Sequence, residues 1–418
     1  MTDDIIIVGG GASGMMAAVT AGEAGASVVL LEKMEKPGRK INITGKGRCN
    51  ITNDRPASEA LAAVPGNSRF LFSAFTKFDS RAAMDFFEKH GLKLKTERGM
   101  RVFPASDSAY EVTDTLRAAM KRAGVRVAHA TAEEIIVEDG RAVGVKCRGG
   151  EYHGKAVILA VGGASYPGTG STGDGYAMAE KVGHTVIAPR PSLVPLECAE
   201  ACCAQMQGLS LRNAALTVKN AKNKTVYEDF GEMLFTHFGV SGPMVLSASA
   251  HMRDFGKDSY RLIIDLKPAL SEEKLDARIL RDISEQSNRD CSNLLAGLVN
   301  HSMVPVIAER AGIPIDEKAN SMTKAQRRAL IDALKRFTLT VTGTRPLSEA
   351  IVTAGGVKTS EIDPATMESR KVKGLYFAGE LIDVDAYTGG FNLQIAWSTG
   401  RAAGLAAAEA VAAEKRPQ

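Results

Sequence analysis

The chain has 418 residues, 44% of them apolar and 24% charged, with a formal net charge of only +4. That balance excludes a disordered chain, and the charge total selects no partner. Glycine is in excess, with 41 residues against 15 prolines; without a Gly-X-Y period this excludes a collagen-like chain and points to tight turns or to backbone pressed against a ligand.

Ile5 to Val8 is a short apolar run of the kind found in parallel strands buried on both faces. Gly9 to Gly14 follows as a turn, Met15 to Ala24 as a packed helix, and Ser27 to Leu31 as a second strand closed by Glu32. This is the βαβ start of a doubly wound sheet. Residues 36–55 form a glycine-rich basic loop. Residues 68–90 read as one helical stretch and 110–123 as an amphipathic helix, with Val112, Leu116, Ala119 and Met120 on one face. Strands are expected at 125–128, 133–138 and 141–147, the last two joined by the hairpin signal Asp139-Gly140. A further buried strand, Ala156 to Val161, ends at Gly162-Gly163.

The texture changes near Pro189. Residues 190–270 alternate in short stretches and read as a β-rich unit, and 271–345 reads as mainly helical. Leu375 to Gly379 is again a buried strand with a glycine exit, and 392–413 a long Ala-rich helix. The expected organisation is an α/β nucleotide-binding domain in two parts, 1–189 and 346–418, interrupted by an inserted β-rich unit at 190–270 and a helical unit at 271–345. No apolar run approaches the ~20 residues of a membrane helix. The N-terminus lacks the basic region and apolar core of a secretory signal. Six cysteines are too few for a disulfide framework, and Cys198-x-x-x-Cys202-Cys203 has no second ligand pair for zinc. The expectation is a cytoplasmic protein with no metal and no membrane contact.

Gly9-x-Gly11-x-x-Gly14, directly after a strand and opening a helix, is the dinucleotide fingerprint. Its glycines serve the tight turn, the approach of a pyrophosphate and the close packing of helix on strand; the helix N-terminus offers N–H groups to phosphate. Glu32, 18 residues past Gly14, stands where a carboxylate accepts ribose hydroxyls. The fingerprint alone does not separate NAD from FAD. The late strand ending Ala378-Gly379-Glu380 favours FAD, since an NAD site has no need of that distant return.

With these motifs the chain resembles the BaiN/YhiN-like flavoproteins, the aminoacetone oxidase-like FAD enzymes, over essentially its whole length. The most specific pieces are Gly38 to Asn53, Arg101 to Pro104, Pro191 to Leu196, Leu234 to Pro243, Val352 to Val357 and Gly379 to Gln394. The resemblance implies a glutathione-reductase-type FAD domain with an inserted β-barrel-like unit and a helical unit. It implies FAD contacts from Gly11, Ser13, Gly14, Glu32, Lys33, Arg39, Lys40, Thr44, Gly45, Gly379, Glu380, Asn392 and Gln394. Gly9, Ala12, Gly47, Arg48, Cys49, Asn50, Gly162, Gly163, Gly390 and Leu393, in the same segments, are expected beside them. In this reading Glu32 and Glu380 hold sugar and ribityl hydroxyls, and the amides of Asn392 and Gln394 face the pyrimidine edge of the flavin.

The catalytic group is less determined. Cys49 follows Arg48 and Lys46, which would lower its pKa and favour a thiolate; it is either a proton donor or a packing residue. Tyr387, His237 and Arg101 are further candidates, each with a packing or salt-bridge alternative. There is no second Gly-x-Gly-x-x-Gly and no Cys-x-x-x-x-Cys pair, so NAD(P)H is expected as a transient reductant rather than on a domain of its own. The resemblance implies three activities: reduction of a conjugated C=C in a bile-acid intermediate, reduction of uridine to dihydrouridine in ribosomal RNA, and oxidation of a small amine such as aminoacetone. A flavin-binding scaffold without turnover is a fourth reading. The substrate is a small molecule or ribosomal RNA. Residues 36–101, with 14 basic and 6 acidic residues, suit RNA phosphates or simply FAD's own.

Overall fold

In the computed structural model, which describes residues 3–252, 255 and 259–415, the N-terminal apolar run forms the strand Asp3–Val8. It pairs in parallel with Val28–Glu32 on one side and with Gly150–Leu159 on the other. Arg126–His129 lies beyond Val28–Glu32, and Leu375–Phe377 beyond Gly150–Leu159, both parallel. Taken in chain order the five strands stand as 3-2-1-4-5, the doubly wound arrangement. The crevice at its switch point opens between the C-terminal ends of Asp3–Val8 and Gly150–Leu159.

The helix Ala12–Glu23 packs against the long C-terminal helix Phe391–Lys415 through glycines. A Cβ on Gly400 would stand 2.3 Å from the Ser13 carbonyl, and one on Gly404 2.5 Å from the Ala17 carbonyl. Both helices are largely buried, which is why Ala and Gly dominate them.

The hairpin Ala132–Glu138/Arg141–Cys147 turns at Asp139 and Gly140, both at positive φ (47° and 74°), as a two-residue turn demands. Residues 68–90 depart from the single helix read in the sequence. They split into Ser68–Leu71, Phe72–Lys77 and Ser80–Lys89, because Asp79 caps the last helix by accepting the Ala82 N–H at 2.9 Å. A small antiparallel sheet, Thr52–Asn53, Arg101–Pro104 and Leu94–Glu97, was not read from the sequence at all.

Contacts divide the chain into two compact units, Met1–Ser192 with Pro346–Gln418, and Leu193–Arg345. The second is a closed six-stranded antiparallel barrel. Its helices, from Glu272–Glu285 to Lys324–Lys335, come before the strand Phe337–Thr344 that closes it. Barrel and helices share one hydrophobic core, with Leu262, Ile264, Phe337, Leu275, Ile307 and Leu330 all within it.

Candidate functional site

The turns at the switch point are shaped by absent side chains. A Cβ on Gly14 would sit 1.9 Å from the Gly9 carbonyl oxygen, and one on Gly9 2.6 Å from that of Ala160. Gly9 also has φ of +100°. Both glycines are therefore demanded by the protein itself. Gly11 is different. Its φ of −80° and ψ of −168° suit any residue, and its Cβ would find only the Ala160 carbonyl, at 4.0 Å. Space is thus kept open at the N-terminus of Ala12–Glu23, where no side chain caps the helix and no acidic residue stands in the first turn. That cradle fits the FAD pyrophosphate. Ser13 packs into the notch left by Gly379, where a Cβ would meet its Oγ at 2.5 Å.

Glu32 is nearly buried at the strand tip. Its Oε2 accepts the Gly10 N–H and its Oε1 the Met34 N–H, both at 2.7 Å. Each oxygen keeps a further lone pair for a sugar hydroxyl. Glu380 lies at the mouth of the late strand. It accepts the Lys40 ammonium (2.7 Å), the Thr353 N–H (2.7 Å) and the Ser165 hydroxyl (3.1 Å). Burial alone would raise its carboxyl, but Lys40 and these hydrogen bonds hold it below its ordinary value. Gly163 lets this cluster close, since a Cβ there would meet Thr353 Oγ1 at 2.4 Å and Glu380 Oε1 at 2.9 Å. Gly162, at φ +76°, turns the chain just before it. Lys33 bonds Thr172 and Asp174, both at 2.5 Å. Arg39 is exposed and makes no ion pair among the described residues, so its guanidinium is free for phosphate.

The basic loop departs from its expected role. Gly45, Lys46 and Gly47 are all left-handed (φ 56°, 59° and 85°), as is Cys49 (φ 56°). Thr44 turns its hydroxyl back to the Ile41 carbonyl at 2.7 Å. The Arg48 guanidinium bonds Asp107 and Glu97 and lies 4.1 Å over the Phe103 ring. It therefore cannot lower the pKa of Cys49. That side chain has no exposed surface, and burial pushes the thiol up to about 12, with a hydrogen bond to Thr44 only partly offsetting. The expected thiolate is corrected to a protonated, sealed thiol. The neighbouring Asn50 leaves its buried Oδ1 without a partner among the described residues. An orphaned amide oxygen beside this crevice again fits a bound group carrying a donor.

The C-terminal amides are also committed elsewhere. Gln394 is buried, accepts the Thr52 hydroxyl (2.6 Å), and donates to the Phe78 carbonyl and to Ser398, both at 2.9 Å. Asn392 brackets Ala386, accepting its N–H (2.9 Å) and donating to its carbonyl (2.7 Å). Both amides are thus hydrogen-bonded within the protein scaffold. Leu393 beside them is half-buried. Gly390 is needed because Thr52 backbone lies 2.5 Å from its would-be Cβ.

Tyr387 is half-buried and anchored by its N–H to the Ala63 carbonyl at 2.9 Å. Arg101 is exposed, bonds the Arg98 carbonyl (3.1 Å) and has no carboxylate partner among the described residues. It pairs in register with Asn53. Asn53 was missed in the sequence. Its Nδ2 donates to Gly99 (3.1 Å) and Gly389 (3.0 Å), tying the small sheet to the turn before the last helix. Ser165 and Thr353 were missed as well; their signal was adjacency to the Gly162-Gly163 and Gly355-Gly356 pairs. His237 belongs to the barrel unit, exposed at the turn before Gly239–Ser241, with its ring 5.0 Å from that of Phe238.

No group of three or more His, Cys, Asp or Glu among the described residues is arranged to hold a metal. No helix among them is long and apolar enough to cross a membrane.

The 3-dehydro-bile acid delta(4,6)-reductase of Clostridium scindens is 34% identical over 407 residues, 96% of this chain and 98% of that protein. The ribosomal RNA dihydrouridine synthase of Escherichia coli is 33% identical over 95% of this chain and 96% of its own. Among solved structures, the 3-ketosteroid-delta4-(5alpha)-dehydrogenase of Rhodococcus jostii RHA1 superposes with a TM-score of 0.53 at 15% identity, covering 97% of each chain, which supports the fold. The HI0933-like protein Rossmann domain matches residues 3–406, so the chain belongs to the HI0933-like family.

Proposed function

We propose that this FAD-dependent oxidoreductase takes electrons from NADH or NADPH and reduces a carbonyl-conjugated C=C bond, with uridine in ribosomal RNA as its substrate. The observation that supports this reading most is the 33% identity, over 95% of the chain, to a ribosomal RNA dihydrouridine synthase. The bile-acid reductase relative, at 34% identity, favours a second reading: the same kind of reduction on a small enone.

Bound FAD would supply the hydride chemistry. The chain's own residues bind and orient. Gly11 and the uncapped helix end receive the pyrophosphate, with Arg39 beside them. Glu32 takes ribose hydroxyls. Glu380, kept ionised by Lys40, takes ribityl hydroxyls. Arg101, exposed and without a carboxylate partner, orients the substrate carbonyl. Cys49 donates no proton, being sealed. Tyr387, half-buried just before the last helix, is our candidate proton donor.

The test is anaerobic reduction of the purified yellow protein with NADH or NADPH, then reoxidation with unmodified ribosomal RNA transcribed in vitro. RNA should speed reoxidation, and one uridine should gain two hydrogens by mass spectrometry. Reoxidation indifferent to RNA, with no dihydrouridine, would sink the RNA reading. Turnover of a small enone instead would establish the second reading, and peroxide from aminoacetone would establish an oxidase.

A further inference from the structure

Within the barrel unit, the strands Ser210–Asn220 and Thr225–Thr236 form a long hairpin whose tip is basic: Lys219, Lys222 and Lys224 fall in six consecutive residues. The neighbouring strand Tyr260–Asp265 adds Arg261, directly in register with Lys219. Two cations facing each other across a strand pair repel and destabilise the sheet. None of the four makes an ion pair among the described residues, and Lys222, Lys224 and Arg261 are exposed. Two carboxylates in this region are hydrogen-bonded within the protein. Glu228 accepts the Thr217 hydroxyl (3.4 Å), and Glu200 accepts the Thr340 N–H with both oxygens (2.9 Å each).

The tip is also built to hold its shape. Asn220 Oδ1 accepts the N–H groups of Lys222 (3.1 Å) and Lys224 (3.0 Å), and the Asn220 N–H returns to the Lys224 carbonyl (3.0 Å). Asn223 takes the left-handed φ of 58° that closes the turn, and its Oδ1 accepts from Arg261 Nη2 at 3.2 Å. A side-chain-stapled turn therefore presents positive charge that has no ion-pair partner among the described residues.

We propose that this tip is a docking surface for the phosphate backbone of RNA, with Lys219, Lys222, Lys224 and Arg261 each facing phosphate oxygens. A polyanion explains why the like-charged pair Lys219/Arg261 is tolerated, since phosphates between the strands turn the repulsion into attraction. The inference rests on the RNA reading above and adds where the RNA is gripped, apart from the residues assigned to the cofactor.

The test uses the FAD-loaded full chain and the triple variant Lys222→Gln/Lys224→Gln/Arg261→Gln. Binding to transcribed ribosomal RNA is measured by fluorescence anisotropy across a salt series. The variant should bind more weakly, with the slope of log affinity against log salt reduced by about 3, one for each phosphate no longer neutralised. Its flavin absorbance and its rate of reduction by NAD(P)H should match wild type. Its melting temperature should be unchanged or higher, because the repulsion is relieved; a purely structural role for these residues would lower it. Equal RNA binding and salt slope in variant and wild type would overturn the inference while leaving wild-type dihydrouridine formation, and so the functional reading, standing. Weaker binding only to vesicles containing anionic lipid, with RNA binding intact, would also overturn it in favour of a membrane surface. A wild-type protein that neither binds RNA nor forms dihydrouridine would overturn both.

Discussion

The glycine turn Gly9–Gly14 and the opening turns of the helix Phe391–Lys415 belong to the same compact unit, yet they are organised by opposite means. The turn is set by side chains that are missing. Gly9 and Gly14 admit neighbouring backbone, and Gly11 keeps space open that no protein atom fills. The helix opening is set by side chains fully engaged, with Gln394 bonded to Thr52, Phe78 and Ser398, and Asn392 to Ala386. The first region leaves its binding capacity free, whereas the second has used its capacity to hold the scaffold. A polar side chain near a cofactor is thus weaker evidence of contact than a glycine with nothing against its missing Cβ.

The largest effect should come from separating the glycines within the turn. Gly14→Ala forces a Cβ into the Gly9 carbonyl and should cost about 3 kcal/mol, the upper end of ordinary overpacking, with FAD lost as well. Gly11→Ala meets no clash, so the apoprotein should melt within about 0.5 kcal/mol of wild type. FAD affinity should nevertheless fall. Equilibrium unfolding and flavin titration on both variants check the pair. If Gly11→Ala lowered stability as much as Gly14→Ala, the open cradle would not exist.

Lys40→Met tests whether the Glu380 cluster is a held charge. In wild type, Lys40 keeps the carboxyl below its ordinary 4.5, so the folded state binds fewer protons than the unfolded state. The stabilisation is then complete above 4.5 and is lost as pH falls through the folded value. Without Lys40, burial dominates and the carboxyl rises above its unfolded value. The sign reverses, and the variant should gain stability as pH falls towards 4.5. At neutral pH the loss should be about 2–3 kcal/mol, below the full range for a buried pair because both side chains are about a fifth exposed. Chemical denaturation at several pH values reads both the size and the sign.

Gln394→Ala addresses the other region. It leaves the Thr52 hydroxyl without its acceptor, while the Phe78 carbonyl keeps the Ser398 hydroxyl, at a cost of about 2 kcal/mol. The flavin spectrum and affinity should barely move. A shifted flavin spectrum with unchanged stability would restore the expected contact with the ring.

These outcomes also mark what was legible in the sequence. Asp3–Val8, the glycine turn and Val28–Glu32 were readable because their determinants lie within 30 residues and are steric. The partners of Gln394 were not, since Thr52 and Phe78 are more than 300 residues away in the chain. The partners of Arg48 were hidden for the same reason: Asp107 and Glu97 lie about 50 to 60 residues away. The split of 68–90 at Asp79 was readable in principle, because Asp followed by Ser is a helix-start signal. The basic hairpin tip, three lysines in six residues, drew no reading from the sequence. Its meaning depends on Arg261, which only the strand register brings beside Lys219.

The smallest effect is expected at Cys49, and it is informative because it is small. The thiol shares the basic loop with Lys46 and Arg48, and local charge would make it reactive. Its actual surroundings, fully buried with a pKa near 12, make it inert. Cys49→Ala should change turnover less than about twofold, since a group with no access to the reacting atoms contributes nothing to general acid catalysis. The pH–rate profile should keep the same limbs, and the native protein should resist alkylation at that position at pH 8 while the unfolded chain reacts. A hundredfold fall in turnover with FAD still bound would instead mean that the loop opens during the reaction and exposes the thiol. The left-handed backbone at Gly45, Lys46, Gly47 and Cys49 is where such an opening would have to begin. Unchanged turnover would mean that the proton comes from a group other than this thiol.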